Sequence, residues 1–177
     1  MHIRPATITD LPRILELIHL KAEFDGCPEA VEATAETLTT TLFCDRPMAH
    51  ILLAENDAAT NTSAQPRPAS PLGFASYHFT YSTFLAKPGL WLDDLFVRSE
   101  HRNRAIGATL IQTLCNIASQ HSCGRIDWTV DVNNQAGIRF YQRMQGQLQT
   151  QVHLCRLNKP AIDQLAQSAK DPLLASS

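Results

Sequence analysis

The segment that most restricts the fold is Trp91-Leu-Asp-Asp-Leu-Phe-Val97 followed by Arg102-Asn-Arg-Ala-Ile-Gly-Ala108. It carries a strand pattern through a tight polar turn directly into a helix. From Gly107 onward the apolar positions Leu110, Ile111, Leu114, Ile117 and Ala118 recur on one helical face. The first amides of such a helix lack intrahelical partners, and together with the helix dipole they suit a pyrophosphate without needing a lysine. Ala105, Gly107 and Ala108 are small enough to let a phosphate come close, while Arg102 and Arg104 add positive charge. Taken alone the junction decides nothing, because strand-turn-helix junctions with a glycine are common and most bind no ligand.

The remaining pattern alternates short strands with helices. Ile3 to Ala6 reads as a first strand, and Thr9-Asp10 caps a helix with apolar positions Leu11, Ile14, Leu15, Ile18 and Ala22. Pro12 is tolerated there because it falls in the first turn. A second helix is expected from Thr34, a candidate N-cap, to Phe43, and a buried strand from Ala49 to Glu55. Residues 56–71 are rich in Ala, Thr, Asn, Ser and Pro and are expected to be a surface loop within one domain. Leu72–Tyr81 and Leu90–Val97 form a predicted hairpin with Lys87-Pro88-Gly89 as its turn. A strand at Arg125–Val132, a helix at Ala136–Met144 and a last strand at Leu148–Leu157 complete the order β-α-α-β-β-β-α-β-α-β. This gives a single α/β domain over residues 1–160, with residues 161–177 as a C-terminal helix or tail that frays from Gln167.

Composition removes several classes of function. With 177 residues and 44% hydrophobic content the chain closes one substantial core. A formal charge of -2 gives no basic field for nucleic acid. No apolar run approaches the ~20 residues that cross a bilayer, and Met1 to Asp10 lacks the pattern of a signal or transit peptide, so a soluble cytoplasmic protein without membrane or nucleic-acid partners is expected. Cys27, Cys44, Cys115, Cys123 and Cys155 form no Cys-x-x-Cys pair, and the seven histidines show no ligand spacing, so neither disulfides nor a metal are expected.

A second informative segment is Asn134-Gln-Ala-Gly-Ile-Arg-Phe-Tyr141, where Phe140 and Tyr141 lie on a short helix behind a strand and Phe140 reads as core. A tyrosine hydroxyl with a pKa of about 10 is able to protonate a thiolate whose conjugate acid lies near ~8.5. The plainer alternative is a half-buried tyrosine whose hydroxyl meets water. Asp93 and Asp94 are likewise open to a plain reading as strand-edge charges, since adjacent strand residues face opposite ways.

Taken together, the two segments resemble the GNAT superfamily of acyl-CoA N-acyltransferases, and within it the diamine (spermidine/spermine) N-acetyltransferase group. The likeness runs from Ile3 to Leu157. It rests on Ile-Arg-Pro-Ala-Thr at the start, Gly73-Phe-Ala-Ser-Tyr-His-Phe-Thr-Tyr81, Leu92-Asp-Asp-Leu-Phe-Val97, the turn at Arg102 and the Phe140-Tyr141 pair. The resemblance implies a GNAT-like fold, a central mixed, mostly antiparallel sheet flanked by helices, with acetyl-CoA as cosubstrate and no metal. It assigns Leu95, Phe96 and Val97 to the pantetheine arm, and Arg102, Asn103, Arg104, Ala105, Ile106, Gly107 and Ala108 to the pyrophosphate. By the same likeness Asn134 contacts coenzyme A and Tyr141 is the general acid. Asp93 stands where the group has a glutamate facing the amine, Asp94 where it has an aspartate on the polyamine path, and Glu29 where it places an acidic residue after the first helix. A homodimer is also implied, since members commonly pair, and the edge of the expected last strand would need covering.

Three departures stand out. Ala105 replaces the first glycine of the turn, which is expected to permit binding only if its φ is negative. Gln145 replaces a glycine that ends the Phe-Tyr helix, with Gly146 one position later, so that helix is expected to end one residue late. Ser82-Thr83-Phe84 replaces an acidic-Pro-Trp segment, leaving Phe84 to pack against an apolar stem or over a cation. The expected reaction is direct attack of a small cationic amine (a diamine, a polyamine or an amino-acid side chain) on the thioester. Asp93 draws in the ammonium and serves as a base only if burial raises its pKa, and strand amides near Phe96 and Val97 hold the oxygen. A non-catalytic acyl-CoA-binding domain and a protein or peptide N-acetyltransferase are the alternatives.

Overall fold

The computed structural model describes residues 1–57 and 70–168, so most of the expected surface loop and the end of the C-terminal tail lie outside the described residues. The chain divides into two compact units, Met1–Asn134 and Gln135–Ser177. In the first unit β1 (His2–Pro5), β2 (His50–Glu55), β3 (Gly73–Ser82), β4 (Lys87–Val97) and β5 (Ile126–Trp128) lie side by side in chain order. Neighbours from β1 to β4 are antiparallel, and β5 pairs with β4 in parallel. The expected mixed, mostly antiparallel sheet flanked by helices is therefore present.

The register sorts the strand residues into two faces. Ile51 pairs with Ser76, Leu53 with Phe74, Phe74 with Phe96 and Ser76 with Asp94, so these residues share one face. On it, α1 (Leu11–Asp25) packs Ile14 and Leu17 against Leu53, Phe74 and Phe96, with Leu38 and Leu42 of α2 (Ala35–Leu42) at the margin. Each fully buried side chain there contributes about 1.5–3 kcal/mol of transfer free energy. Tyr77 and Phe79 face the other way, and the Phe79 ring lies 4.7 Å from that of His121, just past α3 (Ile106–Gln120). α3 buries Leu110, Ile111 and Leu114 on that side. Gly73 is required where β3 meets β4, because a Cβ there would lie 2.3 Å from the Phe96 carbonyl oxygen.

A charged cluster fixes the start of α1. Asp10 is 1% exposed and accepts Arg4 Nη1 at 2.7 Å and Nη2 at 2.9 Å. It also accepts the Thr7 amide at 2.8 Å and an Arg13 guanidinium nitrogen. Glu55 at the end of β2 accepts Arg4 Nε at 2.7 Å and Arg13 Nη1 at 2.9 Å. The cluster thus ties β1, β2 and α1 together. The Arg4 hydrogen bonds hold the Asp10 carboxyl far below the usual carboxylate range. At Glu55 burial alone would raise the pKa, but Arg4 and Arg13 together outweigh it and the net direction is down.

Several expectations about element ends are corrected. Ser82 pairs with Lys87, so Lys87, Pro88 and Gly89 belong to β4 and the hairpin turns through residues 83–86, with Ala86 at φ 49. Pro88 lies in the strand opposite Tyr81, and its carbonyl accepts the Gly124 amide at 2.8 Å, outside the strand ladders. β5 is three residues long rather than running from Arg125 to Val132, and it meets β4 only at Leu90, Trp91 and Leu92. Residues 147–157 form no strand, and Leu148, Val152, Leu154 and Leu157 are exposed. An alternating apolar pattern becomes a strand only where a neighbour supplies backbone partners.

In the second unit α4 (Gln135–Arg143) and α5 (Lys159–Ser168) are helical, and Phe140 is not in the core. α4 does not end late. Gln145 itself takes φ 65, its amide bonds the Gln142 carbonyl at 3.0 Å, and the Gly146 amide bonds the Tyr141 carbonyl at 2.9 Å. This is a Schellman closure with glutamine in the position glycine usually holds.

Ala105 presents the same situation at the other end of a helix. It is the N-cap of α3 with φ 59 and ψ 4, so the turn keeps the left-handed conformation despite the methyl group. The structure does not give the negative φ on which binding was expected to depend: the turn itself sets a positive φ, and alanine holds it at about 1–2 kcal/mol of strain.

Both the charged cluster and the strained turn have measurable effects on stability. Asp10→Asn lowers stability by about 3 kcal/mol at neutral pH, because it leaves part-buried arginines short of a partner. A depressed folded-state pKa contributes stability that is present above the unfolded pKa and lost as pH falls through the folded one. The gap between wild type and variant therefore begins to narrow below about pH 4 and keeps narrowing as the pH falls further. Urea unfolding at several pH values checks this, and a pH-independent gap contradicts it. Ala105→Gly raises stability by about 1 kcal/mol and Tm by roughly 2–4 °C, measured by thermal unfolding, since glycine takes the same φ without strain.

Candidate active site

The central feature is a bulge in β4. Ser76 opposes Asp94 while Tyr77 opposes Leu92, so Asp93 is an extra residue without a partner on β3. A bulge of this kind bends the strand and takes the extra residue out of the ladder. β5 pairs with β4 only up to Leu92, which ends that ladder just before the bulge. From Asp93 to Val97, β4 therefore pairs with no strand on its β5 side among the described residues, which leaves alternate amides there without a strand partner. An extended, amide-bearing ligand is able to pair with such an edge as an added strand would.

Beyond that edge the chain turns through residues 99–101 and Arg102 into α3. Asn103 and Ala105 both have φ 59, and no side chain caps the helix. The first ladder bond runs from the Thr109 amide to the Ala105 carbonyl at 2.9 Å, which leaves the Ile106, Gly107 and Ala108 amides without intrahelical acceptors. Asn103, Arg104 and Ala105 are exposed and Ile106 is buried. Arg102 donates from Nε to the Val97 carbonyl at 3.0 Å, and its guanidinium lies 4.3 Å from the centroid of the Phe24 ring and 5.9 Å from that of Phe96. It is thereby fixed at the end of β4 by hydrogen bonding and cation–π contact. Three anion-seeking amides at an uncapped helix start, beside an open strand edge, fit a phosphate-bearing acyl carrier.

On the α1 face of the sheet a cleft of about 280 Å³ opens between the end of α1 and β4, lined by Ile18, Lys21, Asp25, Cys27, Val31 and Asp94 among others. Asp94 accepts the Ser76 hydroxyl at 3.1 Å, its own amide donates to that hydroxyl oxygen at 3.0 Å, and its carboxylate lies 3.5 Å from Lys21 Nζ. Lys21 also donates to Asp25, one turn further along α1. Burial raises the Asp94 pKa, and nearby Lys21 only partly offsets it. For Lys21 burial acts downward, but Asp25 and Asp94 outweigh it and the net direction is up, so the ammonium stays charged.

The structure brings only part of the expected set together. Leu95, Phe96 and Val97 lie on the open stretch of β4, and Asp94 faces the cleft. Asp93 is exposed at the bulge, so the burial on which its role as a base depends is absent there and present at Asp94 instead. Glu29 sits exposed on the short turn Pro28–Ala30, beside the cleft but outside its lining. Phe84 is 99% exposed at the hairpin tip. The stretch of strand from Lys87 to Asp94 alone spans roughly 20 Å, so the structure does not bring Phe84 to the cleft. Asn134 closes the first unit with its amide on the Asp131 carbonyl at 3.0 Å, and Tyr141 lies on α4 in the second unit, its ring 5.2 Å from that of Phe140. Lys21, Phe24, Asp25 and Ser76 were not singled out in the sequence. A signal for two of them existed, since Ile18, Lys21, Ala22 and Asp25 repeat at helical spacing beside the core stripe of Ile14 and Leu17.

Comparison with known proteins agrees with this geometry. The acetyltransferase (GNAT) family model matches residues 16–146. The human spermidine/spermine N(1)-acetyltransferase-like protein 1 is 34% identical over 139 residues, which cover 78% of this chain but only 19% of that protein, so the chain spans about a fifth of that relative. L-ornithine N5-acetyltransferase of Arabidopsis thaliana is 28% identical, covering 90% of this chain and 85% of its own. Thialysine N-epsilon-acetyltransferase of Bos taurus is also 28% identical, covering 93% and 96%. A crystal structure of a probable acetyltransferase superposes with a TM-score of 0.71 at 22% identity, covering 89% of this chain and 97% of that one, a likeness of fold. With its matched family pattern, its bulged and open β4 and its uncapped α3, the chain belongs to the GNAT family, the acyl-CoA-dependent acetyltransferases.

Proposed function

We propose that the chain transfers an acetyl group from acetyl-CoA to the primary amine of a small cationic metabolite (a diamine, a polyamine or an amino acid with an amine-bearing side chain). The observation that carries this reading is the desolvated Asp94 carboxylate in a cleft that opens beside the free edge of β4. Opposite charges in such a cleft attract more strongly than at an open surface. The relatives named for ornithine, thialysine and spermidine or spermine support a small basic acceptor.

Acetyl-CoA, when bound, supplies an activated acyl carbonyl. The Ile106, Gly107 and Ala108 amides hold the negative charge of its pyrophosphate, helped by Arg104, and the Leu95 to Val97 edge pairs with its amide-bearing arm. Amides near Phe96 and Val97 stabilise the charge that develops on the carbonyl oxygen. Asp93, solvated at the bulge, draws the ammonium in, and the proton leaves through water. Tyr141 holds a proton at its hydroxyl for the departing sulfur, and Asn134 contacts the carrier; both roles rest on the resemblance.

Two features weigh against the alternatives. A non-catalytic acyl-CoA-binding domain would be favoured if Ala105 and Gln145 distorted the turn and the helix end, yet both residues hold the left-handed φ that glycine would take. The cleft beside Asp94, at about 280 Å³, is just below the ~300–1,000 Å³ of ligand pockets and suits a small acceptor better than a peptide. A homodimer stays in the reading on the resemblance alone, because residues 147–157 offer no strand edge to cover.

Release of coenzyme A from acetyl-CoA over a panel of amines and peptides tests the proposal. Short diamines and basic amino acids should give a higher kcat/KM than spermine and than any peptide, and Asp93→Asn should lower all of these values. Tyr141→Phe should reduce kcat by roughly 100-fold or more with nearly unchanged acetyl-CoA affinity. Spermine or a neutral aromatic amine as the best acceptor would overturn the substrate assignment, and a full kcat in Tyr141→Phe would remove its role.

A further inference from the structure

Lys21 sits inside the acceptor cleft, where a site built only to attract ammonium groups would carry no cation. Its Nζ lies 3.5 Å from Asp94 on β4 and donates to Asp25 on its own helix. Both carboxylates and the lysine line the same cleft. The side chain is anchored by burial of its stem and is 21% exposed, so the ammonium is held at the wall rather than swinging free. A lysine ammonium has three donors. Asp25 and Asp94 face two of them, which leaves one for a ligand in the cleft.

The charges make the discrimination concrete. Asp25, Asp94 and Lys21 sum to a single negative charge. A diamine that places its distal ammonium here meets Lys21 as a like charge a few ångströms away, and it competes with Lys21 for the same carboxylates. A basic α-amino acid brings an ammonium and a carboxylate on one carbon. Its ammonium suits Asp25 and Asp94, and its carboxylate completes Lys21 through a charge-assisted hydrogen bond. Ile18, Ala22, Ala30, Val31 and Ala33 supply the apolar lining for a short methylene stem.

We infer that Lys21 is the carboxylate-recognising residue of the acceptor cleft and selects a basic α-amino acid over the corresponding diamine, an inference that rests on the proposed transfer to a small amine. A simple helix-stabilising pair between Lys21 and Asp25 would not distinguish these two ligands.

L-ornithine and 1,4-diaminobutane differ only by the α-carboxylate, so the ratio of their dissociation constants isolates the effect. Calorimetric titration in the presence of coenzyme A should show wild type binding ornithine more tightly. Lys21→Met should reduce that preference by about tenfold or more, and Lys21→Arg should retain most of it. An unchanged preference in Lys21→Met, an equal change for both ligands, a wild type with no preference, or no binding of either would overturn the inference. If the preference falls in Lys21→Met but wild type acetylates neither amine, the carboxylate site stands and the proposed acetyl transfer fails. If wild type acetylates both and the preference does not fall, the inference alone fails.

Discussion

The extra residue that Asp93 inserts into β4 governs the geometry on both sides of that strand. Before the bulge β4 is an interior strand, paired with β3 on one edge and with β5 on the other. After it, β4 pairs only with β3, and the ladder to β5 stops at Leu92. A backbone that no longer satisfies its own amides inside the sheet is free to satisfy those of a ligand. The same shift turns Asp94 toward α1, opposite Ser76, whose hydroxyl both donates to its carboxylate and accepts from its amide. One inserted residue thus opens a strand edge and sends a carboxylate into the neighbouring cleft.

α1 serves the core and the cleft with two stripes of one helix. Ile14 and Leu17 are fully buried against the sheet, while Lys21 and Asp25, further along, line the cleft, and Phe24 meets Phe96 and the Arg102 guanidinium. Its N-terminal end is fixed by the Arg4, Asp10, Arg13 and Glu55 cluster, which joins it to β1 and β2. Its other end closes on Gly26 at φ 76, with the Cys27 amide on the Ala22 carbonyl at 2.9 Å. A helix held at both ends and packed along its middle places Lys21 and Asp25 against β4 without a further device.

Much of this was legible before the structure. The helical stripe of α3, the Thr34 cap of α2, whose hydroxyl accepts the Thr37 amide at 3.1 Å, and the hairpin of β3 and β4 follow from local spacing. The misreadings arose where a neighbour decides the outcome. Residues 147–157 alternate like a strand but find no ladder, and Lys87-Pro88-Gly89 has turn composition but lies within one. Left-handed φ at Ala105 and Gln145 overrides residue preference because the surrounding hydrogen bonds demand it. In the cleft, Asp94 was recognisable by its place in a strand motif. Lys21 became significant only once folding set it 3.5 Å from Asp94, a residue far along the chain.

In the function proposed above, the open edge of β4 and the uncapped start of α3 together hold the acyl carrier. Backbone amide NMR during titration with coenzyme A tests this directly. The largest shifts should fall on Ile106, Gly107 and Ala108 and on β4 from Leu95 to Val97, with β1 and β2 nearly unmoved. Saturable binding that leaves those amides unchanged and perturbs another face of the sheet would contradict it.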